Sequence, residues 1–238
     1  MRTLALSDEI LMKVDKAARY IGGEVNSVMK DKNDVDIRFA MCFPDVYEIG
    51  MSNLGMMILY NMFNEREDVW CERVFSPWMD LDKIMREEHI PLFALESQEP
   101  VKEFDFLGIT LGYEMCYTNV LQVLDLSHVS LLAKNRKEDD PIVIGGGACA
   151  YNPEPIAEFF DMFYIGEGET VYDELLDACE KVKALGITPF YIPGKDAWTT
   201  QVWATAAVGD LMENVDTTLL EDINTGKRTW ADSEEYID

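Results

Sequence analysis

The chain has 238 residues, 48% of them hydrophobic, enough for one sizeable domain with a core of its own. Its formal net charge of −25 leaves no broad basic surface for nucleic-acid phosphates or anionic lipid, so neither nucleic acid nor membrane is an expected partner. No run of about 18 apolar residues occurs, and the N-terminal MRTLALSDEILMKVDK carries acids where a signal peptide is apolar; a cytoplasmic protein is the expectation.

Residues 4–20 place Leu4, Ile10, Leu11, Val14 and Ala18 near helical spacing and predict an amphipathic helix. A Tyr-Ile-Gly-Gly turn at 20–23 and the polar connector KDKNDVD follow. Strands are then expected at Ile37–Phe43, Trp70–Phe75, Phe106–Leu111, Ile142–Ile144 and Met162–Ile165. Helical patterns separate them at Ser52–Phe63, Trp78–Glu88, Thr118–Ala133 and Thr170–Leu185, the last with a cap at Thr170 and a stop at Gly186. Strands alternating with helices imply a parallel sheet covered on both faces. Five strands over this length suit the α/β, flavodoxin-like doubly wound order 2-1-3-4-5. Residues 1–34 form an N-terminal extension, 35–186 the Rossmann-like domain, and 187–238 an acidic appendage. Within the appendage, residues 210–238 hold nine acids against Lys227 and Arg228, a composition that favours partial disorder.

In such a sheet, ligands sit beyond the carboxyl ends of the strands. There the sequence places Asp45, Tyr47, Glu48 and Gly50 after strand one, and Thr110, Gly112, Tyr113 and Glu114 after strand three. Gly145, Gly146 and Gly147 follow strand four, and Gly166, Glu167, Gly168 and Glu169 follow strand five. Glycine lets backbone approach a ligand and frees N–H groups to donate. Glu167 and Glu169 serve equally well to stabilise the N-terminus of the next helix. No G-x-G-x-x-G or Walker loop appears and these ends are poor in Lys and Arg, so dinucleotide or tight phosphate capture is not expected. A flavin held in the flavodoxin manner is disfavoured for want of a Ser/Thr-rich loop after strand one. The five cysteines, Cys42, Cys71, Cys116, Cys149 and Cys179, form no C-x-x-C, and His89 and His128 are isolated, so no zinc or multi-histidine site is expected.

Asp45-x-Tyr47-x-x-Gly50, Thr110 and Gly145-Gly146 resemble the three motifs of cobalamin-binding domains, with tyrosine where those carry the histidine that coordinates cobalt. A fuller set is similar to the N-terminal region of an uncharacterised, cobalamin-binding-like radical S-adenosylmethionine (radical SAM) family. It comprises Ala18-Arg-Tyr-Ile-Gly-Gly-Glu24, Phe43 through Gly55, Gly145-Gly-Gly147, Asn152-Pro-Glu-Pro155 and Gly166-Glu-Gly-Glu169. The resemblance implies cobalamin without a histidine ligand, because a neutral phenol with pKa near 10 is a poor ligand for cobalt. S-adenosylmethionine and a [4Fe–4S] cluster are implied only through a partner radical SAM catalytic domain, since the C-x-x-x-C-x-x-C that holds such a cluster is absent from these residues. The chain alone is then not catalytic: it forms the cofactor-side wall of an active site completed elsewhere. The alternative is a degenerate Rossmann-like module, without cofactor, that docks a partner protein.

Overall fold

The computed structural model describes residues 3–166. The expected helix at Thr170–Leu185, the appendage at 187–238, and Glu167, Gly168 and Glu169 lie outside the described residues. Five parallel strands run in the order β2-β1-β3-β4-β5, as the strand and helix alternation requires. They are β1 (Ile37–Phe43), β2 (Val69–Phe75), β3 (Phe106–Thr110), β4 (Ile142–Gly146) and β5 (Met162–Phe163). Every residue of β1 is buried, as befits a strand flanked on both edges and covered on both faces. One face carries Ile37, Phe39, Met41 and Phe43 against α3 (Leu54–Glu65); the other carries Ala40 and Cys42 against α4 (Met79–Glu88) and α5 (Tyr117–Leu126).

The helices differ from the periodic reading at their ends, for local reasons. Residues 4–20 contain only one α-turn, α1 (Asp8–Leu11), and a 3₁₀ turn at Ala17–Arg19. Of the expected apolar stripe, Ile10 and Val14 are buried, Leu4 and Leu11 partly so and Ala18 exposed, while Leu6 and Tyr20 are buried in addition; the Asp15 N–H donates to the Asp80 carboxylate (2.7 Å) instead of to a helical carbonyl. The stretch expected as one helix from Ser52 begins earlier, as the short α2 (Tyr47–Met51). It restarts where the Asn53 side chain accepts from the Met56 N–H at 2.9 Å and caps α3. α5 stops at Leu126 because His128 turns left-handed (φ 56°) and the Val129 N–H returns to the Leu124 carbonyl.

Strand β2 reads Val-Trp-Cys-Glu-Arg-Val-Phe, and its two charged residues, Glu72 and Arg73, are wholly buried. They belong to the device that closes this sheet edge. The irregular segment 92–99 runs along β2: Leu95 N–H donates to the Arg73 carbonyl, and the Glu96 carboxylate accepts both the Arg73 N–H (2.7 Å) and its guanidinium Nε (2.6 Å). Ser97 N–H donates in turn to Glu72 (2.7 Å), which also accepts from Arg38 Nη2 on β1 (2.7 Å). The edge thus meets carboxylates and backbone rather than a neighbouring molecule. Arg73 spends its remaining donors on Asn26 (3.1 Å) and Ser27 (2.9 Å) and lies over the Tyr60 ring at 4.5 Å, joining the N-terminal segment, β2, α3 and the edge segment at one point.

Removing one partner of such a pair strands the other charge in apolar surroundings. Arg73→Met is therefore expected to lower unfolding free energy by about 3–5 kcal/mol. Adding Glu96→Gln should recover part of the loss, since the amide still accepts the Arg73 backbone N–H. Urea denaturation of the single and double variants measures both.

Candidate functional site

The loops at the carboxyl ends of β1, β3 and β4 are drawn together by specific bonds. Asp45 follows β1: its Oδ1 accepts the Val46 N–H (2.7 Å) and its Oδ2 accepts the Tyr113 hydroxyl from the loop after β3. That bond spans the switch point where strand order reverses between β1 and β3. It pushes the Tyr113 phenol up to about 12. Asn119 on α5 adds a second tie, donating to the Pro44 carbonyl at 2.9 Å. Between β3 and β4, Thr110 pairs with Gly146 in register, Leu111 N–H donates to the Gly146 carbonyl (2.6 Å), and Cys149 N–H donates to the Leu111 carbonyl (3.0 Å). Of the sequence-predicted residues, Asp45, Thr110, Tyr113 and Gly146 are thereby brought together along the carboxyl ends of β1, β3 and β4.

Their roles divide sharply. Gly50 is buried, and a Cβ there would fall 2.2 Å from the Phe75 ring; a Cβ on Gly145 would fall 2.7 Å from the Phe163 ring. Gly147 has φ 104° and backs onto the Leu111 carbonyl, 2.9 Å from where a Cβ would lie. These three glycines answer to packing and backbone conformation. Gly112 does not: a Cβ there meets nothing within 4 Å and its φ is not left-handed. It is exposed, beside the 38% exposed Tyr113. Gly146 ends β4 half-buried, and Gly166 (φ 143°) closes the described chain, packed near the Tyr164 hydroxyl.

Tyr47 and Glu48 face away from the β1–β3 junction, toward the N-terminal segment. The Tyr47 hydroxyl donates to Glu24 Oε1 (3.1 Å), its ring stands edge-on to Phe75 at 5.6 Å, and burial raises its pKa further. Glu24 Oε2 lies 3.7 Å from Arg73, so Tyr47 is the outer member of the buried Arg73 network. Glu48 accepts from Arg19 Nε (3.0 Å) and Nη2 (2.9 Å) and from Lys16 (3.0 Å); the Arg19 and then the Lys16 hydrogen bonds hold its carboxyl down to about 2. A shallow cleft with room for about one water lies between these groups and Leu92 and Phe93. The partners Glu24 and Arg19 escaped the sequence reading, although both lie in Ala18–Glu24, a motif that had been singled out without a role. Gly22 and Gly23, with φ 60° and 91°, turn that motif back onto the β1 loop.

A cobalt-binding role for Tyr47 does not fit this geometry, since its oxygen is already engaged inward. Among the described residues, no three His, Cys, Asp or Glu side chains are grouped to hold a metal ion, and no helix is long and apolar enough to cross a membrane.

Residues 55–189 match the family model of the N-terminal part of radical SAM proteins. The chain belongs to that family. It is also 29% identical over 133 residues to an uncharacterized protein of Methanocaldococcus jannaschii, a match covering 55% of this chain and 24% of that protein. The match spans about a quarter of that relative's length.

Two measurements separate packing from ligand roles here. Gly50→Ala should cost about 1–3 kcal/mol by overpacking against Phe75, whereas Gly112→Ala should leave the thermal midpoint within error of wild type. Glu48, with its folded pKa below the unfolded value near 4.3, adds stability that is full above that value and lost as pH falls toward about 2. Being 43% exposed, it supplies at most about 1 kcal/mol. The acid limb of the stability curve of Glu48→Gln should be flatter than wild type by that amount at low salt, and the difference should vanish in 1 M salt.

Proposed function

We propose that this radical SAM N-terminal domain is of the cobalamin-binding type and forms the cofactor-side wall of an active site. The catalytic domain that completes it is a partner carrying C-x-x-x-C-x-x-C, through which S-adenosylmethionine and the [4Fe–4S] cluster enter. The observation that carries this reading is the rim at the β1–β3 switch point: an exposed Gly112 with no packing reason to be glycine, next to an exposed Tyr113 held by Asp45. On this reading Gly112, Tyr113 and Gly146 would hold a corrin through backbone and ring contacts. Tyr47 supports the loop from behind through Glu24.

One further observation favours a second reading, a docking module without cofactor. Every strand end of the rim exposes a large apolar side chain: Leu54 after β1, Trp78 after β2, Met115 after β3, Tyr151 after β4 and Ile165 after β5. Hydroxocobalamin separates the two. Under the first reading, corrin absorbance travels with the protein through gel filtration, Tyr47→Phe retains it, and Gly112→Val loses it. Absence of corrin from the protein peak at tens of micromolar would leave the docking module as the function.

A further inference from the structure

Asp45 holds the centre of the rim, and its two oxygens have different tasks. Oδ1 is committed to the Val46 N–H of its own turn, which fixes the carboxylate in place. Oδ2 points across the switch point and receives a side chain that brings nothing else with it: the Tyr113 hydroxyl, from a residue 38% exposed on a loop whose Gly112 borders open space. The backbone leading into Tyr113 is extended (φ −162°), with no capping bond from its side chain to hold it down. Because the donor is open to water, another N–H or O–H that reaches Oδ2 can replace it with the number of hydrogen bonds conserved. The charge around it sorts the candidates for that exchange. The segments 44–53, 111–116 and 145–153 contain no Lys, Arg or His, and Glu114 adds an acid to Asp45 and to Glu48, which is paired with Arg19 and Lys16. Nothing there offsets the charge of an arriving phosphate or carboxylate.

We propose that Asp45 is the ligand-recognising group of this rim, and that Tyr113 is a latch occupying Oδ2 until a ligand N–H or O–H takes its place. The ligand is neutral or cationic and rich in donors, amides above all; the described rim segments supply no counter-charge for an anionic one. Displaced, Tyr113 swings away on the Gly112 hinge, opening the β1–β3 junction to the ligand. This deepens the cofactor reading, since the side-chain amides of a corrin are donors of that kind.

The test joins a measurement that needs no ligand to one that uses hydroxocobalamin as probe. In hydrogen–deuterium exchange on the full chain, Tyr113→Phe should speed exchange several-fold at residues 44–50 and 111–117 while the thermal midpoint holds; unchanged exchange there overturns the latch. In equilibrium dialysis, Tyr113→Phe should bind hydroxocobalamin about fivefold more tightly than wild type, the release of one modest hydrogen bond. Asp45→Asn should bind it at least about tenfold more weakly, and flavin mononucleotide, an anionic control, should bind to none of the three. Equal hydroxocobalamin affinity in all three proteins overturns the recognition role of Asp45 and leaves the cofactor reading standing. Binding by none of them overturns both.

Discussion

A fully buried guanidinium holds this domain together. Arg73 sits in the middle of β2, a position that in a parallel sheet belongs to an aliphatic residue, and it is tolerable only because each of its faces meets a partner. Glu96 neutralises it and at the same time accepts the β2 edge N–H; Asn26 and Ser27 take the outer nitrogens; Tyr60 offers its ring. Without that set, segment 92–99 would keep only the Leu95 and Ser97 N–H bonds along β2, and the edge would be less well covered against another chain. The N-terminal segment would likewise lose its anchor on the sheet.

That buried set reaches the rim through Glu24, which touches Arg73 with one oxygen and Tyr47 with the other. The turn after β1 is therefore held from two directions, by the core through Tyr47 and by the surface pair Arg19–Glu48. Its remaining functional group, Asp45, is left at the switch point facing Tyr113. Tyrosine at position 47 has a structural explanation of its own: a ring that fills the space beside Phe75 and a hydroxyl that reaches Glu24. A histidine would be too short to do both. The consequence is that the Tyr47 hydroxyl is engaged inward, on Glu24.

The glycines show how one residue type can serve opposite ends. Gly50, Gly145 and Gly147 sit where a side chain would strike Phe75, Phe163 or the Leu111 carbonyl, so their absence of a Cβ is used up inside the protein. Gly112, by contrast, faces outward with room to spare. In the one-dimensional pattern all of these read alike, as glycine after a strand, because nothing local distinguishes a glycine crowded by a neighbouring element from one left open.

The sequence by itself determined the strand and helix alternation and the parallel sheet with order 2-1-3-4-5. These follow from hydrophobic period and from the right-handed crossover rule, both of which are written locally along the chain. Tertiary structure alone decided the partners. The charged pair in β2 reads as an interruption of a strand until Glu96 and Asn26 are brought to it from distant segments. The helical stripe at 4–20 becomes one turn because Asp80 captures a backbone donor. Tyr47 turns inward because Glu24 waits there, and Tyr113 crosses to Asp45 because the sheet sets β1 beside β3. Each of these is a contact between residues far apart in sequence, whose geometry exists only once the sheet has closed.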